Sequence, residues 1–351
     1  MPDRLRRFLV PALLLVFAPA PALAHHSVAG FFDPETKVEI EGVVTRIRWR
    51  NPHTAFVVDV TSANGTVTEW NIESGALGVL RTRGLSKEFV KAGDFVKILG
   101  DKSLRSDTEM FARNMLLPDG KEVLLTVPSR PHFSVDNDAG VVEGEFDPAV
   151  VAAARASADG IFRVWSDNFS VRLRGGRIFT GNYPLNEAAK AVRAEYDPGE
   201  TSLLGCTDWS MPRLMANPLP MEFIDEGDRI VIRFEENDEV RVVHLDDGAM
   251  PGERTHMGFS TGRWEGETLV VETTHITPDR IDDRGTPFSA DLHLLERFTP
   301  TADGSRLDYT VTVTDPNNFE EPFEQARFWD WRPEIVVQPY ACEQDQEMRQ
   351  E

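Results

Sequence analysis

The stretch TAFVVDVTSANGTVTEWNIE, residues 54–73, contains the strongest local structural signal in this sequence. Apolar residues alternate with other residues from Phe56 to Val60, which is the two-residue period of a half-buried β-strand. Asn64 and Gly65 then separate this strand from the next, and this dipeptide is the strongest short-range signal for a β-hairpin. The stretch therefore predicts two antiparallel strands joined by a short turn.

The sequence around the hairpin extends it into a small barrel. A strand precedes it, a short apolar helix follows it, and two more strands come after the helix; these elements are predicted at 37–50, 77–85, 95–99 and 110–117. Three strands, a helix and two strands is the element order of the five-stranded OB fold. We therefore predict a mainly β protein with an OB-like five-stranded barrel at residues 25–127.

A linker and a second β domain follow. Residues 128–158 begin with proline, glycine and acidic or amide residues without an apolar period, and they end in a short predicted helix at 148–158. Residues 159–351 contain many short alternating strands between turn residues, with little helix. This pattern is typical of a lipocalin-like antiparallel β-barrel or a β-sandwich with a few short helices, and we predict this class for the second domain.

The N-terminus has the organisation of a secretory signal peptide. Three arginines precede the apolar stretch 8–17, and the small residues Ala22 and Ala24 then provide a cleavage site. The apolar stretch is shorter than the ~20 residues that a membrane-spanning helix requires. We expect removal of residues 1–24, a mature chain that begins at His25, and a periplasmic or secreted protein that is not inserted in the membrane.

The mature chain is strongly acidic. The sequence has 37 basic and 58 acidic side chains, and loss of residues 1–24 removes three arginines and one aspartate, which changes the formal charge from −21 to −23. Such a surface repels phosphate backbones and anionic lipids, because binding to them depends on Lys and Arg. Nucleic acid is therefore not an expected partner. We expect the partner to be a small molecule or a metal ion.

Two cysteines occur in the sequence, Cys206 and Cys342. An isolated pair in an oxidising compartment favours a disulfide bond. A redox or metal pair is the alternative, but the CxxC spacing typical of it is missing from the sequence. We therefore predict one disulfide, which ties the end of the chain to its middle.

The predicted mature N-terminus carries a candidate copper site. His25 offers its α-amine and its imidazole to one ion, and His26 adds a second imidazole. His53 is a candidate third ligand, because Pro52 interrupts strand pairing just before it. Nitrogen ligands favour Cu(II) over most divalent ions, so copper is the predicted cofactor. The alternative is that two exposed histidines follow a cleavage site and that His53 lies at a strand end.

The stretch GFSTG, residues 258–262, matches the G-x-S-x-G pattern of serine hydrolases. Ser260 is therefore a candidate nucleophile, and Asp282 and His293 follow it in the order of a catalytic triad. A nucleophile elbow needs a strand before it and a helix after it, whereas this stretch leads into a predicted strand. We favour a glycine-rich β-turn here and lean towards a protein without enzymatic activity.

Tryptophans and one acidic run complete the candidate features. The aromatic side chains that could line a ligand cavity in the second barrel are those of Trp165, Trp264, Trp329 and Trp331. The alternative is that they fill the core of that barrel. The acidic run at 235–239 lacks the spaced ligands and glycine of a calcium loop, and we predict a solvated hairpin turn there.

Several short motifs carry a resemblance to a known family. In the N-terminal part these are AHHS at 24–27, FD at 32–33 and NPH at 51–53. In the C-terminal part they are Cys206, MPR at 211–213, PMEF at 220–223, the run 258–271, DP at 315–316 and PYAC at 339–342. The chain resembles an uncharacterised family of exported proteobacterial proteins. The resemblance implies export, two domains and the disulfide, and it implies no activity.

Three classes of function remain open from the sequence. The first is a periplasmic or secreted binding protein that holds copper at its N-terminal histidines and a small apolar ligand in the second barrel. The second is an exported enzyme, either a hydrolase at Ser260 or an oxidative enzyme at a copper centre. The third is a non-catalytic envelope protein that binds another protein.

Overall fold

A computed structural model describes residues 28–126, 129–134, 142, 144–167, 177–197, 206, 208–246 and 248–342. The predicted signal peptide, His25 and His26 lie outside the described residues. No helix among the described residues is both long enough and apolar enough to span a membrane.

The N-terminal half of the described chain forms a small β-barrel. A short helix, α1 (Val28–Phe31), leads into it. Its strands are β1 (Phe32–Arg48), β2 (Ala55–Thr61), β3 (Val67–Glu73), β4 (Phe95–Ser103), β5 (Glu109–Leu116) and β6 (Glu122–Leu124), and the helix α2 (Leu77–Arg81) lies between β3 and β4. β1 pairs with β2 and β4, β2 with β3, and β5 with β4, while a parallel pairing of β3 with β5 closes the ring. This connectivity confirms the predicted OB-like barrel, to whose β5 the short strand β6 is added.

The hairpin at residues 54–73 has a three-residue loop. Thr61 pairs with Val67, and the Ser62 N–H donates a hydrogen bond of 2.9 Å to the Thr66 carbonyl. Gly65 adopts a φ of 84°, a left-handed conformation that glycine reaches without a steric penalty. A turn that ends in a left-handed glycine is a common three-residue hairpin connection, which is why Asn64-Gly65 marks this site.

The C-terminal half forms a second, closed barrel of nine strands. These strands are β7 (Val164–Ser166), β8 (Met221–Asp225), β9 (Arg229–Phe234), β10 (Val240–His244), β11 (Phe259–Glu265), β12 (Thr268–Thr274), β13 (His293–Pro300), β14 (Arg306–Thr314) and β15 (Phe323–Trp331). Each strand pairs with the next one in the chain, and β15 pairs with β7 to close the barrel. Two helices accompany it, α3 (Pro148–Ser157) and α4 (Glu187–Ala194). The mainly β architecture with few helices is confirmed.

One strand pair in this barrel is parallel. Strands that follow one another around a ring alternate in direction, so a closed ring of nine must contain one parallel pair. That pair is β10 and β11, with Val243 opposite Ser260 and His244 opposite Thr261. The crossover connection that a parallel pair requires lies between these strands, and its described residues are 245–246 and 248–258. The predicted antiparallel barrel is therefore present, with β10 and β11 as its parallel pair.

The interior of the second barrel is filled by side chains. The largest fully buried ones include Trp165, Phe223, Phe298, Tyr309 and Trp329. The last four of these rings contact one another in a chain, with centroid distances of 5.3 Å for Phe223–Phe298, 4.9 Å for Phe298–Tyr309 and 5.3 Å for Tyr309–Trp329. These aromatic side chains therefore act as packing between the strands of the barrel.

The two barrels are joined by polar contacts and by the segment that carries the disulfide. Cys206 and Cys342 are bonded, with their Cα atoms 5.5 Å apart, which confirms the predicted disulfide. Cys342 also forms an isolated β-bridge with Asn51 of the first barrel. The Arg332 guanidinium donates a hydrogen bond of 2.7 Å to the Thr82 carbonyl just after α2. The C-terminal segment thus holds both barrels at one end of the nine-stranded barrel.

Candidate functional site

Three of the four acidic residues in the run between β9 and β10 are buried. Glu235, Glu236 and Glu239 are only 1%, 7% and 8% exposed. The prediction of a solvated hairpin turn is therefore wrong. The physical reason is that the C-terminal segment lies over the turn and donates backbone hydrogen bonds to it, from Gln338 to Glu235 Oε2 at 3.2 Å and from Tyr340 to Asp238 Oδ1 at 3.0 Å.

Asn237 and Asp238 give this turn its shape. Both have left-handed backbone conformations, with φ values of 52° and 56°. Asn and Asp tolerate this region better than other residues with a Cβ atom. The turn directs the carboxyl groups of Glu235, Glu236 and Glu239 into the protein, where each meets a different set of partners.

Glu236 is buried, and its carboxyl group has two polar partners. The Asn217 side-chain amide donates a hydrogen bond of 2.8 Å to Glu236 Oε2, and the Tyr340 hydroxyl is hydrogen-bonded to the same carboxyl group. Burial raises the pKa of Glu236 to about 7, although these hydrogen bonds oppose the shift. Burial and the Glu236 carboxyl group also raise the pKa of Tyr340, so its hydroxyl stays protonated. This pair links the acidic turn to the C-terminal segment.

Glu235 faces a cleft between the two barrels. The cleft has a volume of about 290 Å³, and Arg81 of α2 lies on its other side. Arg81 Nη1 and Glu235 Oε1 are 4.0 Å apart, which is too far for a hydrogen bond. Both atoms are buried, and neither has a hydrogen-bond partner among the described residues. Burial raises the pKa of Glu235 to about 7.

The remaining walls of the cleft are mixed in character. Val150, Pro220, Ile335 and Val336 provide apolar surface, and the carboxyl groups of Asp147 and Glu334 add negative charge. Gly78 lies beside Glu235, and a Cβ atom at this position would overlap the Glu235 carboxylate. A glycine at 78 therefore allows α2 to approach the acidic turn closely enough to form the cleft. We call this site the interdomain cleft.

The NPH stretch also belongs to the junction of the barrels. Asn51 is fully buried, and its side-chain amide donates a hydrogen bond of 2.6 Å to the Tyr340 carbonyl. The Asn51 Oδ1 atom accepts a hydrogen bond of 2.8 Å from the Leu77 N–H at the start of α2. Sequence reasoning considered only His53 in this stretch and missed Asn51. The NPH and PYAC motifs were the sequence signal for this contact, because the two segments meet here.

His53 lies on an aromatic cluster at the start of the described chain. Its ring contacts Phe111 edge-on at 5.7 Å, and Phe111 packs against Phe32 at 5.6 Å. His53 Nδ1 is also 3.8 Å from Glu73 Oε2. Phe31 and Val28 belong to the same cluster as Phe32. The predicted ligand His53 is therefore near the point where the chain enters the first barrel.

Ser260 is a buried strand residue. It lies in β11, so the prediction of a glycine-rich β-turn is wrong. Its Oγ accepts a hydrogen bond of 3.1 Å from Arg241 and is 3.0 Å from the Thr273 hydroxyl. Asp282 instead accepts hydrogen bonds from Thr286, and the half-exposed His293 lies 3.7 Å from Glu272. Around Ser260 the described residues form a buried polar network and provide no imidazole base.

The four predicted ligand-binding tryptophans lie in the core and at one end of the second barrel. Trp165 and Trp329 are almost completely buried, and Trp165 Nε1 donates a hydrogen bond of 2.8 Å to the Ile161 carbonyl. Trp264 is 42% exposed and contacts the ring of Phe162. Trp331 pairs with Trp165 across two strands and is covered by the Arg163 guanidinium at 4.5 Å. None of the four lines the interdomain cleft.

Comparison with known proteins concerns the first barrel. A family described as "Family of unknown function (DUF6152)" matches residues 13–110, so this stretch is similar to an uncharacterised family. The match ends inside β5 and includes His25, His26, Asn51 and His53. No curated protein and no solved structure matches the chain. The assignment of a function therefore depends on the geometry described above.

Proposed function

We propose that this chain is an exported binding protein whose ligand site is the interdomain cleft. The observation that carries the proposal is a pair of buried polar atoms without hydrogen-bond partners among the described residues, Arg81 Nη1 and Glu235 Oε1, whose residues line one cavity from the two barrels. A buried polar atom without a partner costs about 1–3 kcal/mol, so a ligand that satisfies both atoms gains affinity. Clefts at domain interfaces that contain a residue with a shifted pKa are frequent ligand sites.

The two polar atoms indicate the chemistry of the ligand. Arg81 can only donate hydrogen bonds, whereas the Glu235 carboxyl group accepts them when it is ionised. A primary amide presents a carbonyl oxygen and an N–H on the same side, so one such group can accept from Arg81 and donate to Glu235. The apolar walls suit an aliphatic substituent, and Asp147 and Glu334 disfavour an anion. We propose a small, uncharged primary amide with an apolar side chain.

The location and the lack of catalysis are part of this proposal. The signal-peptide pattern of residues 1–24 supports export, and the Cys206–Cys342 disulfide is compatible with an oxidising compartment. Strong net negative charge argues against nucleic acid as the ligand. The polar groups around Ser260 are held by Arg241 and Thr273, which gives the hydrolase alternative no support.

A pair of matched probes tests the cleft. We expect N-acetyl-leucine amide to bind, and N-acetyl-leucine, which differs only by its carboxylate, to bind more weakly. Arg81→Met is expected to weaken amide binding at least about tenfold, because loss of a charged hydrogen-bond donor costs about 1.5–3 kcal/mol. The measurement is ligand-observed NMR or calorimetry on the mature protein.

Arg233→Met provides the control for Arg81→Met. Arg233 forms an exposed ion pair with Glu222 on the second barrel, outside the cleft. Its replacement should leave probe binding unchanged. Equal affinity for the amide and the carboxylate, or the same loss in both arginine variants, would contradict the proposed site.

A second candidate function is copper binding at the mature N-terminus. We propose His25, His26 and His53 as its ligands, as the sequence predicts. The supporting observation is that His53 contacts Phe111, in the same aromatic cluster as Val28, Phe31 and Phe32, only a few residues after His26. Three residues of chain span at most about 10 Å, so a short segment separates His25 from this cluster.

Copper titration of the correctly processed protein tests this second function. We expect one equivalent of Cu(II) to bind with the visible absorption band of nitrogen ligation, and His25→Ala to abolish it. The first residue must be verified by N-terminal sequencing, because the α-amine is part of the predicted chelate. His132→Ala, an exposed histidine next to Glu39, is the control and should leave the copper spectrum unchanged. No tight copper in the wild type would refute this function.

A further inference from the structure

A second polar cluster lies near the disulfide at the same end of the nine-stranded barrel. Asp208, Glu239 and His256 each present one potential ligand atom, and these atoms lie within 4.8 Å of one another. His256 Nε2 is 2.9 Å from Glu239 Oε2. Asp208 follows Cys206 by two positions, Glu239 ends the acidic turn, and His256 precedes β11. Three separate segments thus bring their side chains to one point.

The parallel strand pair explains how Glu239 and His256 meet. β10 and β11 pair with Val243 opposite Ser260 and His244 opposite Thr261. The same register, continued four residues backwards on both segments, places position 239 beside position 256. Adjacent strands are about 4.8 Å apart, which is close enough for these two side chains to touch. The direct contact of 2.9 Å agrees with this geometry.

The Asp208 segment is attached to the same place by the backbone. The Met211 N–H donates a hydrogen bond of 2.9 Å to the His256 carbonyl. The Cys206–Cys342 disulfide anchors the other side of Asp208 to the C-terminal segment. Asp208 is therefore fixed on both sides, while its own side chain is exposed. The cluster combines a buried carboxylate with an exposed carboxylate and a half-exposed imidazole.

Glu239 carries the observation that points to a ligand. It is more than nine-tenths buried, and its Oε1 atom has no hydrogen-bond partner among the described residues. Its other oxygen contacts His256, so the carboxyl group as a whole faces the cluster. A buried carboxylate oxygen without a partner is unfavourable, and a bound cation would satisfy it.

We infer that Asp208, Glu239 and His256 form a binding site for a divalent transition-metal ion of the zinc type. Imidazole nitrogen and carboxylate oxygen are both ordinary zinc ligands, at about 2.0–2.2 Å from the ion. Three protein ligands leave a fourth tetrahedral position, which water fills. Calcium and magnesium are not expected here, because both ions prefer sites made only of oxygen atoms.

The spacing of the cluster can be compared with that of a loaded zinc site. Tetrahedral ligands around zinc are about 3.4 Å apart, and the three ligand atoms lie within 4.8 Å of one another, so no pair has to close by more than roughly 1.4 Å. The exposed Asp208 side chain is suited to this movement, because it is not packed inside the protein. Two carboxylates and one neutral imidazole would balance the two positive charges of the zinc ion.

Zinc titration of the mature protein tests this site. The background variant carries His25→Ala and His26→Ala, so that the N-terminal histidines do not contribute. After removal of metal with EDTA, calorimetry with zinc chloride is expected to show one bound equivalent. Asp208→Asn and His256→Gln should each weaken zinc binding at least about tenfold, because loss of even a supporting group around a metal costs 10–100-fold. Zinc-edge X-ray absorption should show nitrogen and oxygen ligands and no sulfur.

His293→Gln is the matched control. His293 is 39% exposed, like His256, and lies 3.7 Å from the Glu272 carboxylate, but it belongs to no three-ligand group among the described residues. The His293→Gln variant should bind zinc with the same affinity as the background variant. Unchanged zinc binding in both Asp208→Asn and His256→Gln, or an equal loss in His293→Gln, would overturn the inference. Urea unfolding in EDTA shows that the variants are folded, and Asp208→Asn, an exposed isosteric change, keeps the test valid if His256→Gln is unstable.

Discussion

Arg241→Met is expected to destabilise the protein by about 3–5 kcal/mol, the cost of leaving one member of a buried ion pair without its partner. Arg241 and Glu296 are 1% and 0% exposed inside the nine-stranded barrel. The Arg241 guanidinium donates to both Glu296 oxygens and also to the hydroxyls of Ser260 and Thr273. The Tyr309 hydroxyl donates a further hydrogen bond of 2.9 Å to Glu296. Methionine leaves the Glu296 carboxyl group buried without its opposite charge.

Urea unfolding at pH 7 measures this effect. The double variant Arg241→Met, Glu296→Leu is expected to regain much of the loss, because it removes the buried charge altogether. Arg233→Met is the control, since its ion pair with Glu222 is exposed and should contribute less than about 1 kcal/mol. A loss below 1 kcal/mol in Arg241→Met, or a double variant much less stable than the single one, would contradict this account of the network.

Stability is expected to fall as the pH rises from 5 to 8. The pKa values of Glu235 and Glu236 are both raised from 4.5 to about 7 by burial. The folded protein therefore holds these protons up to about pH 7, whereas the unfolded chain releases them near pH 4.5. Each carboxyl group contributes stability that is present below pH 4.5 and is lost as the pH rises through 7, by up to about 3 kcal/mol.

Glu236→Gln isolates one of these groups. The amide has the shape of the protonated carboxyl group and carries no charge, so this variant should lose less stability between pH 5 and pH 8 than the wild type. Glu226→Gln, at an exposed turn beside Arg229, should retain the wild-type pH dependence. Urea midpoints at both pH values, measured in EDTA, provide the comparison. A wild-type protein that becomes more stable towards pH 8 would refute the assignment.

Neither the buried ion pair nor the strand position of Ser260 could be predicted from the neighbouring sequence. Arg241 and Glu296 lie on strands β10 and β13, whose apolar alternation is readable, but nothing local shows that two charged residues face inwards together. Ser260 was predicted as part of a turn because its neighbours are glycines. It is instead a strand residue, since pairing with β12 across seven positions outweighs the local preference of glycine for turns.

The sequence by itself determined the local features of this protein. Residues 54–73 specify a hairpin through alternation and Asn64-Gly65, and the order of strands and helix specifies the OB-like barrel. Two cysteines in the sequence allow a single disulfide, and the structure contains it. The hairpin and the order of elements depend on residues close together in the chain, and two cysteines can pair in only one way. These conclusions therefore required no knowledge of long-range contacts.

The tertiary structure alone decided where the buried charges lie and which of them meet. The run 235–239 resembles any solvated acidic turn until the C-terminal segment covers it, and Glu235 faces Arg81 only because the two barrels join at that point. Glu239 meets His256 because a nine-stranded ring requires one parallel pair. Burial and register are set by partners far away in the chain, and such partners leave no mark on the sequence around the residues they enclose.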